Sequence, residues 1–191
     1  MEKTRAIFFF IVLSLVMVAT HVRAEELSIQ FENHTIEQGK LTTSLSITGD
    51  ISYDTIDAIR NGITAKFFVT FQLSSSARFI GRSRTTFVET IESFNISYDV
   101  WENSYILHDN RQKNTLVARN SGDILYRIND ATSPLVTDVT AMDWNDRLYM
   151  RAKIKIQTIR LFPPFGIFLL FFDPWNFESS WIQTEVNAQE L

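Results

Sequence analysis

The reading of the fold starts from residues 146–186, DRLYMRAKIKIQTIRLFPPFGIFLLFFDPWNFESSWIQTEV. Within it, Leu148, Met150, Ala152, Ile154, Ile156 and Thr158 occupy even positions, and Tyr149, Arg151, Lys153, Lys155 and Gln157 occupy odd ones. A strict period of two predicts a strand with one apolar face and one wet, basic face. The next residues change character: Leu161 to Phe172 is almost wholly apolar and is broken by Pro163, Pro164 and Gly166. Twelve residues are too few to cross a bilayer, which takes about 20. From Phe165 to Phe172 two helical turns would place Phe165, Phe168, Leu169 and Phe172 together. Such a segment either caps a core or meets a partner or lipid, and both readings stand at this point. Asp173-Pro174 is a break, and Trp181 to Val186 reads as a last strand.

Working outward, the same period recurs. Leu27, Ile29 and Phe31 alternate in residues 26–33, as do Leu41, Thr43, Leu45 and Ile47, with a turn at 37–40; together they predict a hairpin. Ile56, Ile59 and Ile63 follow a helical stripe, with Ser52 or Asp54 as cap and Gly62 past the end. Ile63, Ala65, Phe67, Val69, Phe71 and Leu73 form a long strand. Residues 83–100 are extended, and their apolar parity switches near Glu92-Ser93, which predicts a bulge there. A turn at 101–103 leads to a strand at 105–108, continued at 114–119, and residues 120–131 are weakly helical, with Ser121 or Asn120 as cap. Residues 134–145 read as irregular. His34 falls in an expected turn and His108 at a strand end. The expectation is a mainly β, antiparallel, β-sandwich-like single domain over residues 25–191, with seven to nine strands and two or three short helices. An open sheet backed by helices is the alternative.

Composition narrows the class. Lys3 and Arg5 precede an apolar run from Ala6 to Ala19, and Val22-Arg23-Ala24 is a small-x-small site. Residues 1–24 therefore read as a secretory signal cleaved after Ala24, with an uncleaved membrane anchor as the alternative. The expected location is exported: periplasmic, or membrane-associated through that N-terminal segment. Residues 25–191 keep 15 basic and 21 acidic residues, a net charge of −6, which gives no electrostatic reason to bind nucleic acid. There is no cysteine, so neither disulfides nor thiolate chemistry nor a Cys-ligated metal enters.

Three stretches resemble a known family. They are the unit Ile56 to Ile63, the stretch from Arg84-Thr85 through the Tyr98-Asp99 to Tyr105 hairpin, and above all Arg147 to Trp181, which ends in Trp175-Asn176-Phe177-Glu178-Ser179-Ser180-Trp181. Their order resembles the domain-of-unknown-function family numbered 4390, a group of exported bacterial proteins. Residues 110–145 carry no part of the likeness. The resemblance implies a bacterial, exported, mostly β domain with no assigned activity and no catalytic residues to carry over. It also implies an association, not a mechanism, with envelope-spanning sensor kinases.

A search for chemistry finds little. No Gly-x-Ser-x-Gly, phosphate-binding loop or dinucleotide fingerprint occurs. His34 and His108 lack a second histidine at metal spacing, and no cofactor is expected. Asp143 and Asp146 flank Trp144, and Asp173 and Glu178 flank Trp175. That pairing suits a carbohydrate site, but such acids serve equally as turn residues. Lys66 with Arg78, Arg82 and Arg84 makes a second basic grouping. The leading expectation is a non-enzymatic envelope interaction module, accessory to a membrane sensor in one version. Its candidate surface is Phe165, Phe168, Leu169, Phe172, Trp175 and Trp181, with Arg151, Lys153 and Lys155 beside it, facing an envelope protein or a membrane surface. The alternatives are a lipophilic-ligand carrier lined by Phe67, Phe71, Phe165 and Phe168, and a carbohydrate-binding or carbohydrate-active domain using Trp144, Trp175 and Trp181.

Overall fold

A computed structural model describes residues 27–76, 85–140, 147–158 and 176–186. The expected signal (1–24), the Arg78–Arg84 grouping and the apolar run 161–172 lie outside the described residues. Ten strands and two helices are present among those described: β1 (Ser28–Glu37), β2 (Lys40–Thr48), α1 (Tyr53–Arg60), β3 (Ala65–Ser76), β4 (Thr85–Asp99), β5 (Ser104–Asp109), β6 (Thr115–Ala118), α2 (Ser121–Thr132), β7 (Leu135–Asp138), β8 (Arg147–Thr158), β9 (Phe177–Glu178) and β10 (Ile182–Val186).

The strands form two antiparallel sheets. The larger runs β10-β8-β3-β4-β5-β6, with β9 also on β8, and the smaller runs β1-β2-β7. The period-two stretches explain the centre of the large sheet. Phe67, Val69 and Phe71 of β3 pair with Ile156, Ile154 and Ala152 of β8, and all six are buried. The small sheet covers the β10-β8-β3 half of this face, where Phe31 of β1 meets Phe71 edge-on at 6.4 Å. The helices cover the rest, α1 over β4 and α2 over β5 and β6. The fold is thus mainly β and antiparallel, as expected. It also includes the helix-backed alternative, because three strands are too few to cover the inner face of so wide a sheet.

The two helices expected within the described residues are both present. The Ser52 hydroxyl accepts from the Thr55 amide at 3.2 Å, and Asn120 caps α2 by accepting from the Asp123 amide at 3.0 Å. Each cap satisfies an amide that a first helical turn leaves open. Three strand readings need correction. β1 continues through His34, which pairs with Thr43 inside the ladder instead of sitting in a turn. No bulge occurs at Glu92-Ser93: pairing with β3 is continuous from Val88 to Ile96, and the irregularity lies between Thr86 and Val88. The parity signal misled because Ile91 is exposed while Glu92 is buried on the core side, where Arg111 pairs with it. Residues 135–138, expected to be irregular, form β7 on β2.

The β1–β2 turn is built on two residues of positive φ, Gln38 at 50° and Gly39 at 74°, the requirement of a two-residue hairpin turn. The Gly39 carbonyl accepts from the Val139 amide at 2.9 Å. A β-carbon on Gly39 would collide with the Thr140 side chain. Gly39→Ala is therefore expected to cost about 1–3 kcal/mol from backbone strain alone, with the clash added. Chemical denaturation checks this, and an unchanged midpoint would show that the turn relaxes freely.

Candidate functional site

The expected surface centres on the edge where β8 meets β9 and β10. Arg151, Lys153 and Lys155 stand on the outer face of β8, opposite the buried Ala152, Ile154 and Ile156. Their shared face follows from the alternation of the strand. The edge against them is one strand interrupted by a short irregularity: Glu178 pairs with Lys155, and Ile182 with Ala152. Between the two pairs, Ser179 bridges the gap. Its amide donates to the Ile154 carbonyl at 2.9 Å, and its hydroxyl accepts from the Ile154 amide at 3.0 Å.

Regular pairing sets Glu178 beside Lys155, and the irregularity after it brings Trp181 onto the same basic face. Trp181 lies under two cations, with the Arg151 guanidinium 4.6 Å and the Lys153 ammonium 4.8 Å from the ring centroid. Glu178 takes Lys153 at 2.5 Å and Lys155 at 3.3 Å. Arg151 Nε also donates to Gln72 Oε1 at 2.7 Å, and Gln72 Nε2 donates to Glu89 Oε1 at 2.8 Å. A polar row thus crosses β8, β3 and β4. The basic face is therefore largely compensated by its own neighbours, and its pull on anionic headgroups is correspondingly weakened.

The lysines hold the Glu178 carboxyl below the usual carboxylate range, chiefly through the hydrogen bond from Lys153 and then that from Lys155. A depressed carboxylate stabilises the folded state above its unfolded pKa and loses that contribution as pH falls through the folded value. Acidification into that lower range is expected to loosen the β9 edge, and Glu178→Gln is expected to remove the step. Amide exchange at Ser179, followed against pH in both proteins, checks this. Identical profiles would show that the clamp does not hold the edge.

Of the other expected site residues, Phe67 and Phe71 are packed in the core. Phe165, Phe168, Leu169, Phe172, Trp175, Trp144, Asp143, Asp146 and Asp173 lie outside the described residues. His108 is exposed near the end of β5, and His34 is half-buried in β1. Among the described residues no group of three or more His, Cys, Asp or Glu could hold a metal ion, and no helix is long and apolar enough to cross a membrane.

The edge just described contains residues 176–181, the described part of the stretch on which the resemblance rests most heavily. Residues 24–185 match the family described as "Domain of unknown function (DUF4390)". The chain belongs to this family. No curated protein and no solved structure matches it. The DUF4390 match runs from just before β1 into β10 and so takes in both sheets and both helices.

Two features escaped the sequence reading. One is the compensation of the basic face by Glu178 and Trp181. The spacing of two acidic and aromatic positions beyond a proline break carries no signal of where an edge strand will lay them. The other is the β4–β5 tip, where Val100 and Trp101 are exposed; their adjacency in a turn was the available signal.

Proposed function

We propose that this DUF4390 chain is an exported, non-enzymatic interaction module of the bacterial envelope, with the region after β8 as its contact surface. The observation that carries the reading is the pinning of that region's two ends. The Thr158 amide donates to the Asn176 side-chain oxygen at 3.2 Å, so the two described residues that flank 159–175 are held together at one end of the sheet. Residues 159–175 include Phe165, Phe168, Leu169, Phe172 and Trp175, a concentration of apolar side chains suited to a partner's surface. The family match beginning at residue 24 supports treating the preceding residues as a separable leader.

A photo-crosslinking residue at Phe168 tests this in intact cells. The expected result is one defined adduct with an envelope protein, lost when Phe172→Asp is added with the probe kept at 168 and the melting temperature unchanged. No adduct at 168, or the same adduct from a probe at the exposed Thr48, would overturn the reading.

A further inference from the structure

We propose that the tip of the β4–β5 hairpin, Val100 and Trp101, seats in the interfacial layer of a lipid bilayer whose headgroups carry no net charge. This rests on the reading of the chain as an envelope module, and it adds an element and a partner class that reading does not contain.

Trp101 is 92% exposed and Val100 67%. Isolated apolar side chains on a surface need no explanation, but these two are adjacent at the crown of a hairpin whose shape owes nothing to them. Asp99 Oδ1 accepts from the amides of Trp101 and Glu102 at 2.8 and 3.2 Å. Asn103 takes a φ of 49°, and the Tyr98 hydroxyl bonds its side chain. The turn is therefore set by Asp99, Asn103 and Tyr98, and it holds the indole out into solvent. An indole pairs a large apolar ring with one N–H donor, the combination that favours the boundary between acyl chains and headgroups.

The surroundings fit that depth. Behind the tip, the Tyr98 and Tyr105 rings meet at a tilt with centroids 5.1 Å apart, and Arg60 donates to the Tyr105 hydroxyl at 2.8 Å. Tyr53, at the start of α1, is 76% exposed. Ala65 pairs with both Ile96 and Thr158. The hairpin tip, four and five residues past Ile96, thus emerges from the same end of the large sheet as Thr158. Thr158 and Asn176, the described residues that flank the apolar residues 159–175 in the sequence, bond to each other there. One end of the sheet therefore carries the exposed Trp-Val pair and both residues that flank the most apolar stretch beyond β8. Charge selects the lipid: Asp99 and Glu102 are at the tip, and residues 25–191 carry −6 overall, so an anionic surface repels this end.

The absence of cysteine makes the test site-specific. Full-length chains carrying Glu102→Cys or Glu185→Cys, the latter near the opposite end of the sheet on β10, are labelled with an environment-sensitive fluorophore. They are then mixed with phosphatidylcholine vesicles bearing acyl-chain quenchers. The expected result is a blue shift and quenching at position 102 and neither at 185. Trp101→Ser is expected to lower vesicle partitioning about tenfold, the scale of one large apolar side chain, with an unchanged melting temperature. Adding phosphatidylglycerol is expected to weaken binding. The proposal is overturned if the label at 102 stays in water when vesicles are present, whether the chain is unbound or held by another part. Equal partitioning of Trp101→Ser and its parent would overturn it as well. A negative result here with the Phe168 adduct intact would remove the lipid contact and leave the interaction module standing.

Discussion

Phe71→Ala is expected to destabilise the fold by about 3–5 kcal/mol, the usual cost of emptying a buried aromatic site. Phe71 is 1% exposed in the middle of β3. It pairs with Thr90 on one side and Ala152 on the other, and it meets Phe31 of the small sheet in an edge-to-face contact. The loss therefore strikes the joint between the two sheets. A double-mutant cycle with Phe31→Ala is expected to return a coupling of about 0.5–1.5 kcal/mol, the typical excess of an aromatic pair over its area. Urea denaturation of the four proteins provides the measurement. If Phe71→Ala left the midpoint unchanged, this side chain would not be a packing element. The lipophilic-ligand alternative, in which Phe71 lines a pocket, would then become the stronger account.

Asn129→Ala is expected to cost about 2–4 kcal/mol through a different route. β7 pairs with β2 only over residues 40–43, which leaves the far half of β2 without a strand partner on that side. Side chains from α2 and its end take over. Asn129 accepts from the Ile47 amide and donates to the Ile47 carbonyl, both at 2.8 Å. Ser133 accepts from the Leu45 amide at 3.2 Å and donates to its carbonyl at 3.0 Å. The two side chains stand where a strand would put its backbone groups. Truncating Asn129 strands a donor and an acceptor at once, each worth about 1–3 kcal/mol when left unpaired in a buried place. Asn129→Asp keeps the acceptor but loses the donor, and it is expected to fall between the two. Thermal unfolding checks the order. Equal melting temperatures for all three proteins would show that water replaces the side chain without cost.

The parts of the fold legible in the sequence were those where one local rule acts alone. β3 and β8 alternate because each buries one face, and the Ser52 and Asn120 caps sit where an open amide requires them. Where two constraints met, the pattern failed. Glu92 breaks the parity of β4 because a cross-strand cation makes its burial tolerable, and Arg111 lies nineteen positions away in the chain. β7 escaped because four residues alternate too briefly to stand out, and what makes them a strand is the open edge of β2. At the candidate site, the sequence placed Arg151, Lys153 and Lys155 on one face but not the partners that compensate them. That compensation depends on how Ser179 carries the edge strand past Ile154, a long-range fact with no local signature.

The central pairing of the large sheet also bears on when the fold can appear. β3 and β8 join residues 71 positions apart at Ser76–Arg147 and 93 apart at Ala65–Thr158, so the heart of the core cannot close until most of the chain exists. Topologies dominated by such distant contacts fold slowly, in about milliseconds to seconds. For a chain proposed to leave the cytoplasm, that delay is useful. A late-forming core keeps the polypeptide unfolded while it is being handed across the membrane, and the last strands, β8 to β10, complete the core only after the rest has arrived.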